Sequence, residues 1–271
     1  MINSLIKSLD TFKGSIEIIV RDVGHGNWNE IRFGTTRIFF DIGAQKDWHE
    51  NKVQNLVTAA NIRKSENIYI FVSHWDVDHY HAILKLSDFE LKQIKGFFAP
   101  ERIPKTNTAE RVKHLLNSAG IGLYLIPWTT KKHTDKRIEL NMVFGGDKLK
   151  IFRSSKTNSR NLDSIVFYIE TYKNSVMLTG DQKYEKLYDY IVSEVLPKAP
   201  MIFVLPHHGG NAGDFNISHW STTSLEEVII SYHESNTYGH PLENNCRTAQ
   251  SLLVCKPILS TNDTGDKVFL L

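Results

Sequence analysis

The chain has 271 residues, 41% apolar and 23% charged, with a formal net charge of +2. These proportions exclude a disordered chain and allow one large core or two modest ones. Its longest apolar runs, such as IYIFV and MIFVL, are strand-sized, so no membrane span is expected, and MINSLIKSLDTFKG lacks the apolar stretch and cleavage site of a secretory signal.

In chain order, SIEIIVRDVG (15–24) and TRIFFDIGA (36–44) read as strands separated by turn chemistry, a hairpin or meander. ENKVQNLVTAANIRKS (50–65) repeats apolar residues at helical spacing, and IYIFVS (68–73) is the continuous apolar run of a strand buried on both faces. HAILKLSDF (81–89) is expected to be helical, KGFFAP (95–100) a strand, NTAERVKHLLNSAG (107–120) a helix and LYLIPW (123–128) a strand. Near residue 140 a second half begins, with NMVF, KLKIFRS, SIVFYIETY and SVMLTGD as strands. YEKLYDYIVSEVL (184–196) is a helix whose Tyr and Leu positions face a core, and MIFVLPHHGG (201–210) is a strand with a polar end. TTSLEEVIISYHES, TAQSLLVCK and DKVFLL close the chain. Helices segregated between strand groups in two similar halves imply two sheets face to face with helices outside. With no Gly/Ser/Pro-rich linker, residues 1–271 are expected to form a single domain.

Charge is unevenly distributed. Residues 92–160 carry 15 Lys or Arg against 5 Asp or Glu, whereas residues 161–271 carry 7 against 13. The basic block includes KKHTDKR (131–137) and KLKIFRSSKTNSR (148–160). Such a block is ordinarily a solvated face, but beside an acidic metal centre it would steer a polyanion. Cys246 and Cys255, without CxxC spacing, suit reduced thiols, and a cytoplasmic location is expected.

The chemistry collects at three strand ends. VSHWDVDHYHA (72–82) brings His74, Asp76, Asp78 and His79 into six positions; Asp181 follows SVMLTG, and His207 and His208 follow MIFVLP. Buried ionised groups must be paired or bound to a metal, and two imidazoles with two carboxylates in one turn are too many for one small ion. Two divalent ions roughly 3.5–4 Å apart would use them, holding a bridging water whose pKa falls toward neutrality. Asp181 suits a bridge because one carboxylate offers two oxygens. Neighbours in an extended strand point to opposite faces, so only one of His207 and His208 is expected to ligate.

His-Trp-Asp-Val-Asp-His matches the HxDxDH variant of the metallo-β-lactamase superfamily. RDVGHGNWNEI resembles its DVGQGD opening, FFDIGA its next strand, NLDSIVFYIE an NxxSxV strand and LTGD its bridging-aspartate motif. VLPHHGG and SNTYGHP are similar to the PHHGS and NxYGHP motifs of one branch, the hydrolase domain of the DNA-uptake competence channel (ComEC type). The motifs keep their order from about residue 15 to the chain end. The resemblance implies an α+β, four-layer αββα sandwich holding two divalent metal ions, Mn2+ or Zn2+. Carboxylate in place of a second histidine favours manganese.

Residue by residue, the resemblance implies His74 and Asp76 on one metal, Asp78 and His79 on the other, Asp181 bridging and His207 as a terminal ligand. Asp78, His208 and His240 form the catalytic group, the two histidines as phosphate donors or general acids. Asp22 and Asp41 are expected to orient the metal histidines, with Asn161 and Ser164 also behind the site. Three departures stand out: His81 and Ala82 replace two glycines, His25 and Asn27 alter the opening motif, and no histidine near Asn161–Ser164 supplies a third ligand to the first metal. His25, His49 and His81 otherwise read as surface polar residues.

The implied function is a metal-dependent phosphodiester hydrolase, a nuclease whose two-metal hydroxide attacks phosphorus in line. Its partners would be a nucleic-acid substrate and a protein that supplies it, with no membrane. One alternative is a small-molecule hydrolase acting on a nucleotide, a phosphocholine-type ester or a lactone, which a closed pocket lined by Trp28, Trp75 or Trp220 would favour. The other is a non-catalytic assembly module that retains the fold.

Overall fold

Alternation along the central strands dictates the layers. In SIVFYIE, Ile165, Phe167 and Ile169 share one face and Val166 and Tyr168 the other, and all five are buried. A strand apolar on both faces needs a layer on each side. The computed structural model describes residues 1–64, 66–129, 138–253 and 255–271.

The first half runs α1 (Ile2–Thr11), β1 (Glu17–Val20), β2 (Asn29–Phe33), β3 (Thr36–Phe40), α2 (Glu50–Ala59), β4 (Asn67–Phe71), α3 (Asp88–Leu91), β5 (Ile94–Pro100), α4 (Asn107–Ser118), β6 (Leu123–Ile126). The second runs β7 (Leu140–Gly145), β8 (Leu149–Ser154), β9 (Ile165–Glu170), β10 (Ser175–Leu178), α5 (Tyr184–Leu187), α6 (Ser193–Val195), β11 (Met201–Val204), α7 (Ile217–Trp220), β12 (Leu225–Ile230), α8 (Glu243–Leu252), β13 (Leu259–Ser260), α9 (Thr261–Thr264), β14 (Lys267–Leu270). The strands form two seven-stranded sheets, ordered β14-β1-β2-β3-β4-β5-β6 and β13-β12-β11-β10-β9-β8-β7. Both repeat one plan: three antiparallel strands (β1–β3, β8–β10) lead into three parallel ones (β4–β6, β11–β13).

Between the sheets, Phe40 and Phe71 meet Phe167 with ring centroids 4.9 and 5.0 Å apart. Outside the first sheet, Val53 and Val57 of α2 and Val112 and Leu116 of α4 cover Phe39, Ile68 and Ile70. Outside the second, Tyr184, Leu187, Trp220 and Ala249 cover Tyr168, Met177 and Phe203. This is the four-layer αββα sandwich, and each large apolar side chain buried in it contributes about 1.5–3 kcal/mol.

Local departures from expectation have local causes. β2 is a strand that the sequence does not announce, because it carries Glu30, fully buried and paired with Arg21, Arg32 and Arg37. α1 was also unexpected; its Ile2, Leu5, Ile6 and Leu9 complete the inter-sheet core. The expected helix at 81–89 is a 3₁₀ turn (His81–Lys85) followed by α3, because Ser87 and Glu90 form a capping box that starts a new helix. The helix at 184–196 breaks into α5, a π turn (Tyr188–Val192) and α6.

The basic segment 131–137 lies outside the described residues. Much of the remaining basic block is structural: Arg153 is fully buried against Asp163, Lys148 donates to the carbonyls of Leu9 and Phe12, and Lys150 pairs with Glu170. Among the described residues no helix is long and apolar enough to cross a membrane, and both cysteines are free thiols.

Candidate metal centre

The chain leaving β4 turns sharply: Val72 and Ser73 lead to His74, and one 3₁₀ turn, Val77–His79, follows Asp76. The end of β3 anchors this turn. Asp41, fully buried, accepts from the Ser73 backbone N–H at 2.6 Å, the Ser73 hydroxyl at 2.9 Å and His79 Nδ1 at 2.8 Å. Having donated to Asp41, the Ser73 Oγ is an acceptor for His74 Nδ1, 3.0 Å away. Beyond β12, the Ser231 carbonyl accepts from His208 Nδ1 at 2.8 Å. Three imidazoles thus have Nδ1–H tied outward and Nε2 turned inward, the arrangement that fixes a histidine as a ligand.

The second half delivers Asp181. Gly180, with φ +55°, lets the loop after β10 pass the first half: a Cβ there would lie 2.7 Å from Ser73 Cβ and Oγ. The Ile165 N–H donates to the Ser73 carbonyl at 2.8 Å and ties the sheets together at the same level. Asp181 Oδ1 then lies 3.3 Å from His79 Nε2 and Oδ2 3.5 Å from His74 Nε2. Asp76 Oδ2 is 3.6 Å from His74 Nε2, and Asp78 Oδ2 is 3.5 Å from His208 Nε2 and 3.9 Å from His79 Nε2.

Despite this proximity, none of these contacts satisfies the Nε2 atoms with a well-formed hydrogen bond. His74 Nε2, His79 Nε2, His208 Nε2 and Asp181 Oδ1 are all buried without a partner. One orphaned buried donor or acceptor costs about 1–3 kcal/mol, so four converging on one space need a common partner. Imidazole and carboxylate donors fit a divalent cation such as zinc or manganese. Donor atoms of His74, His79 and Asp181 lie within 4.8 Å of one another, as do those of His25, Asp78 and His208.

Electrostatics agree. Burial and the neighbouring His79 oppose charging of His74, yet Asp181 and Asp76 raise its pKa to about 9. Burial also opposes charging of His79, but Asp181 and Asp41 raise it well above its ordinary value. Burial would raise Asp181 and Asp78; the imidazoles, His79 and His74 for Asp181, His208 and His79 for Asp78, hold both below the usual carboxylate range. The pocket is built for positive charge.

The remaining candidates divide. Asn161 Nδ2 is 3.3 Å from both Asp181 Oδ2 and His207 Nδ1, so it belongs to the cluster. Ser164 does not face the donors: its Oγ accepts from Gln182 Nε2 at 2.8 Å and braces the loop carrying Asp181. Asp22 orients no histidine. Its backbone N–H binds Asp266 and its carboxylate accepts from the Gly24 N–H, closing the turn after β1.

His207 and His208 do not alternate across a strand. Both have left-handed backbone (φ +52° and +55°) in the turn after β11, which turns both toward the cleft. His207 Nδ1 bonds Asp181 Oδ2 from the more exposed side, whereas His208 reaches Asp78. The His240 ring centroid lies 4.8 Å from that of His207; burial, then His207 and His208, lower its pKa to about 4.

Several participants escaped the sequence reading. His25, expected at the surface, is 4% exposed, 4.2 Å from the His208 ring and stacked on Tyr238. Arg160 pairs with Asp76 at 2.9 Å. Ser73 had a readable signal, a hydroxyl directly before the first histidine at a strand end, and His25 had one in its departure from the opening motif; Arg160 had none. His81 stays outside, its Nδ1–H donating to the Val77 carbonyl at 2.7 Å, and His49 caps α2. Above the donors opens a cleft of ≈ 500 Å³ lined by Trp75, Tyr80, Thr106, Arg160 and Lys46, with Tyr238 and His240 opposite. A second cavity of ≈ 390 Å³ shares His25, Lys46, Asp78 and Tyr238 with it. Trp28 and Trp220 are core residues and line neither.

No family model matches the chain and no curated protein matches it. Solved structures do. The metallo-β-lactamase fold protein YhfI from Bacillus subtilis superposes with a TM-score of 0.55 at 11% identity, over 94% of this chain and 100% of that one. Igni18, a metallo hydrolase from the archaeon Ignicoccus hospitalis, gives 0.52 at 13% identity over 95% and 99%. A variant of the CmlA β-hydroxylase gives 0.50 at 12% identity, over 96% of this chain and 54% of that one. The chain therefore has the metallo-β-lactamase fold.

Proposed function

We propose that the protein is a metal-dependent phosphodiester hydrolase, with nucleic acid as substrate and two divalent cations, Mn2+ or Zn2+, as cofactors. The observation that carries this reading is the set of buried, unpartnered donors of His74, His79, His208 and Asp181 beneath a cleft bearing Arg160 and Lys46. The fold alone does not choose a reaction, since a metallo hydrolase and a β-hydroxylase share it. The donors and the cationic rim support hydrolysis of a phosphodiester.

His74 and Asp76 serve one cation, Asp78 and His79 the other, and Asp181 lies between. His208 replaces His207 as the terminal donor, because its Nε2 is orphaned and its Nδ1 anchored, whereas His207 Nδ1 is engaged by Asp181. Divalent cations held there would polarise phosphoryl oxygens and bring the pKa of a water toward neutrality. His207 is the proton donor to the leaving oxygen: burial opposes its charge, but Asp181 raises its pKa, and it stands at the cleft. His240, lowered to about 4, is neutral near pH 7 and hydrogen-bonds the phosphate. Arg160 offers its planar fork to a non-bridging oxygen.

Motifs shared in order with the ComEC-type hydrolase domain support a nucleic-acid substrate, supplied by a protein partner in the cytoplasm. A single small phosphodiester is the second reading, favoured by the modest volume of the cleft and by Arg153, Lys148 and Lys150 being engaged within the fold. The test is incubation of metal-free, Mn2+-loaded and Zn2+-loaded protein with single-stranded DNA, duplex DNA, RNA and a bis-aryl phosphate. Cation-dependent cleavage that a chelator abolishes and Asp78→Ala removes is expected. Absence of cation-dependent turnover, or turnover indifferent to Asp78→Ala, overturns the proposal; cleavage confined to the bis-aryl phosphate selects the second reading.

A further inference from the structure

The loop 22–27 carries more order than a turn between two strands requires. The His25 N–H donates to Gln45 Oε1 at 3.2 Å, the Asn27 N–H to the Asp78 carbonyl at 3.0 Å, and the Gly43 N–H to the Asn27 carbonyl at 2.8 Å. Ser231 Oγ donates to the Gly26 carbonyl at 2.9 Å, and the Ser231 carbonyl anchors His208. The backbone around His25 is therefore fastened directly to the segments that hold Asp78 and His208.

The imidazole itself is buried, with Nδ1 lacking any partner. Tyr238 covers one face, stacked at 4.9 Å and 17° between ring planes, and the His208 ring lies 4.2 Å away. A donor atom of this ring is within 4.8 Å of donor atoms of both Asp78 and His208.

We propose that His25 is a direct ligand of the cation held by Asp78 and His208. This rests on the two-cation reading above and extends it. Cation sites that keep an open position for chemistry have three protein ligands. His74, His79 and Asp181 form one cluster of donors, so the cation of Asp78 and His208 takes His79 and Asp181 only by sharing them with that cluster. His25 gives this cation a third donor of its own. The opening motif this loop resembles carries glutamine at the position, so the third imidazole is a feature of this chain.

The test is titration of the metal-free full chain with Mn2+, Zn2+ and Co2+, following affinity by calorimetry and Co2+ donor set by visible absorption. Wild type is expected to take up two ions. His25→Gln, which keeps the side-chain bulk, and His25→Ala should weaken one of the two by about 10- to 100-fold or more, shift the Co2+ bands of that site and leave the other unchanged. His49→Ala, remote from the cluster, should match wild type. Two ions bound by His25→Gln with wild-type affinity and spectrum overturn the assignment of His25 alone. A wild-type chain that takes up fewer than two ions overturns the two-cation reading and this inference together.

Discussion

Asp41→Asn isolates what holds the histidines in place. Asp41 sits at φ +66°, a conformation asparagine adopts as readily as aspartate, so the backbone is undisturbed. The amide oxygen can keep the 2.6 Å bond from the Ser73 N–H, but the amide nitrogen, a donor, then faces the Ser73 hydroxyl and His79 Nδ1. His79 must move its proton to Nε2, the nitrogen now free to bind a cation. Loss of such an orienting partner lowers metal affinity by about 10- to 100-fold, or about 1.4–2.7 kcal/mol. Losing one buried charge-assisted bond lowers metal-free stability by about 1.5–3 kcal/mol. Asp41→Ala should cost more, because all three donors lose their acceptor and alanine resists positive φ by about 1–2 kcal/mol. Calorimetric metal titration and urea unfolding of the metal-free protein measure the two effects. Asp41→Asn with unchanged affinity and midpoint would refute the role assigned to this carboxylate.

Further outcomes follow from the same contacts. Glu30 is buried, which alone would raise its pKa, but Arg21 and Arg37 hold it below its ordinary 4.5; its stabilisation is thus complete above about pH 4.5 and lost as pH falls through the lowered value. Glu30→Gln should destabilise by about 3–5 kcal/mol at pH 7 and flatten the acid limb of a urea-midpoint profile, because two buried guanidinium groups lose their carboxylate. Gly43→Ala would place a Cβ 1.6 Å from the Asp78 carbonyl oxygen, forcing the ligand turn off β3; a loss of about 1–3 kcal/mol or more in thermal stability and impaired metal uptake are expected. Arg160, a half-exposed partner of Asp76, should tolerate Arg160→Ala within about 1 kcal/mol in melting experiments, while KM for a phosphodiester rises about tenfold and kcat changes less.

What the sequence made legible follows from the range of each interaction. His74, Asp76, Asp78 and His79 were readable because one turn concentrates them, and Asp181 because it ends a strand that alternation marks as buried on both faces. The αββα layering was readable for the same reason: strands such as 165–170 have no polar face to give to water. β2 was hidden because its register depends on an ion cage: Glu30 is tolerable inside only when Arg37, from β3, and Arg21, from just past β1, close on it. The expectation that His207 and His208 point to opposite faces failed on a local assumption. Alternation holds for extended backbone, and both residues lie at positive φ beyond the strand.

His25 shows where local reasoning ends. A histidine between two glycines in a polar turn has no sequence property that distinguishes a solvated ring from a buried one. Its burial comes from Tyr238 and His208, far along the chain and brought beside it only when the sheets pack. Packing also creates the setting that makes the ring useful, since His25 and Asp78 of the first half meet His208 of the second only when the two halves close. The same closure leaves Nε2 of His74, His79 and His208 without hydrogen-bond partners. A fold that strands donors so consistently beyond the carboxyl ends of β4, β10 and β11 is stabilised by whatever cation satisfies them, so metal binding and the docking of the two sheets should strengthen together.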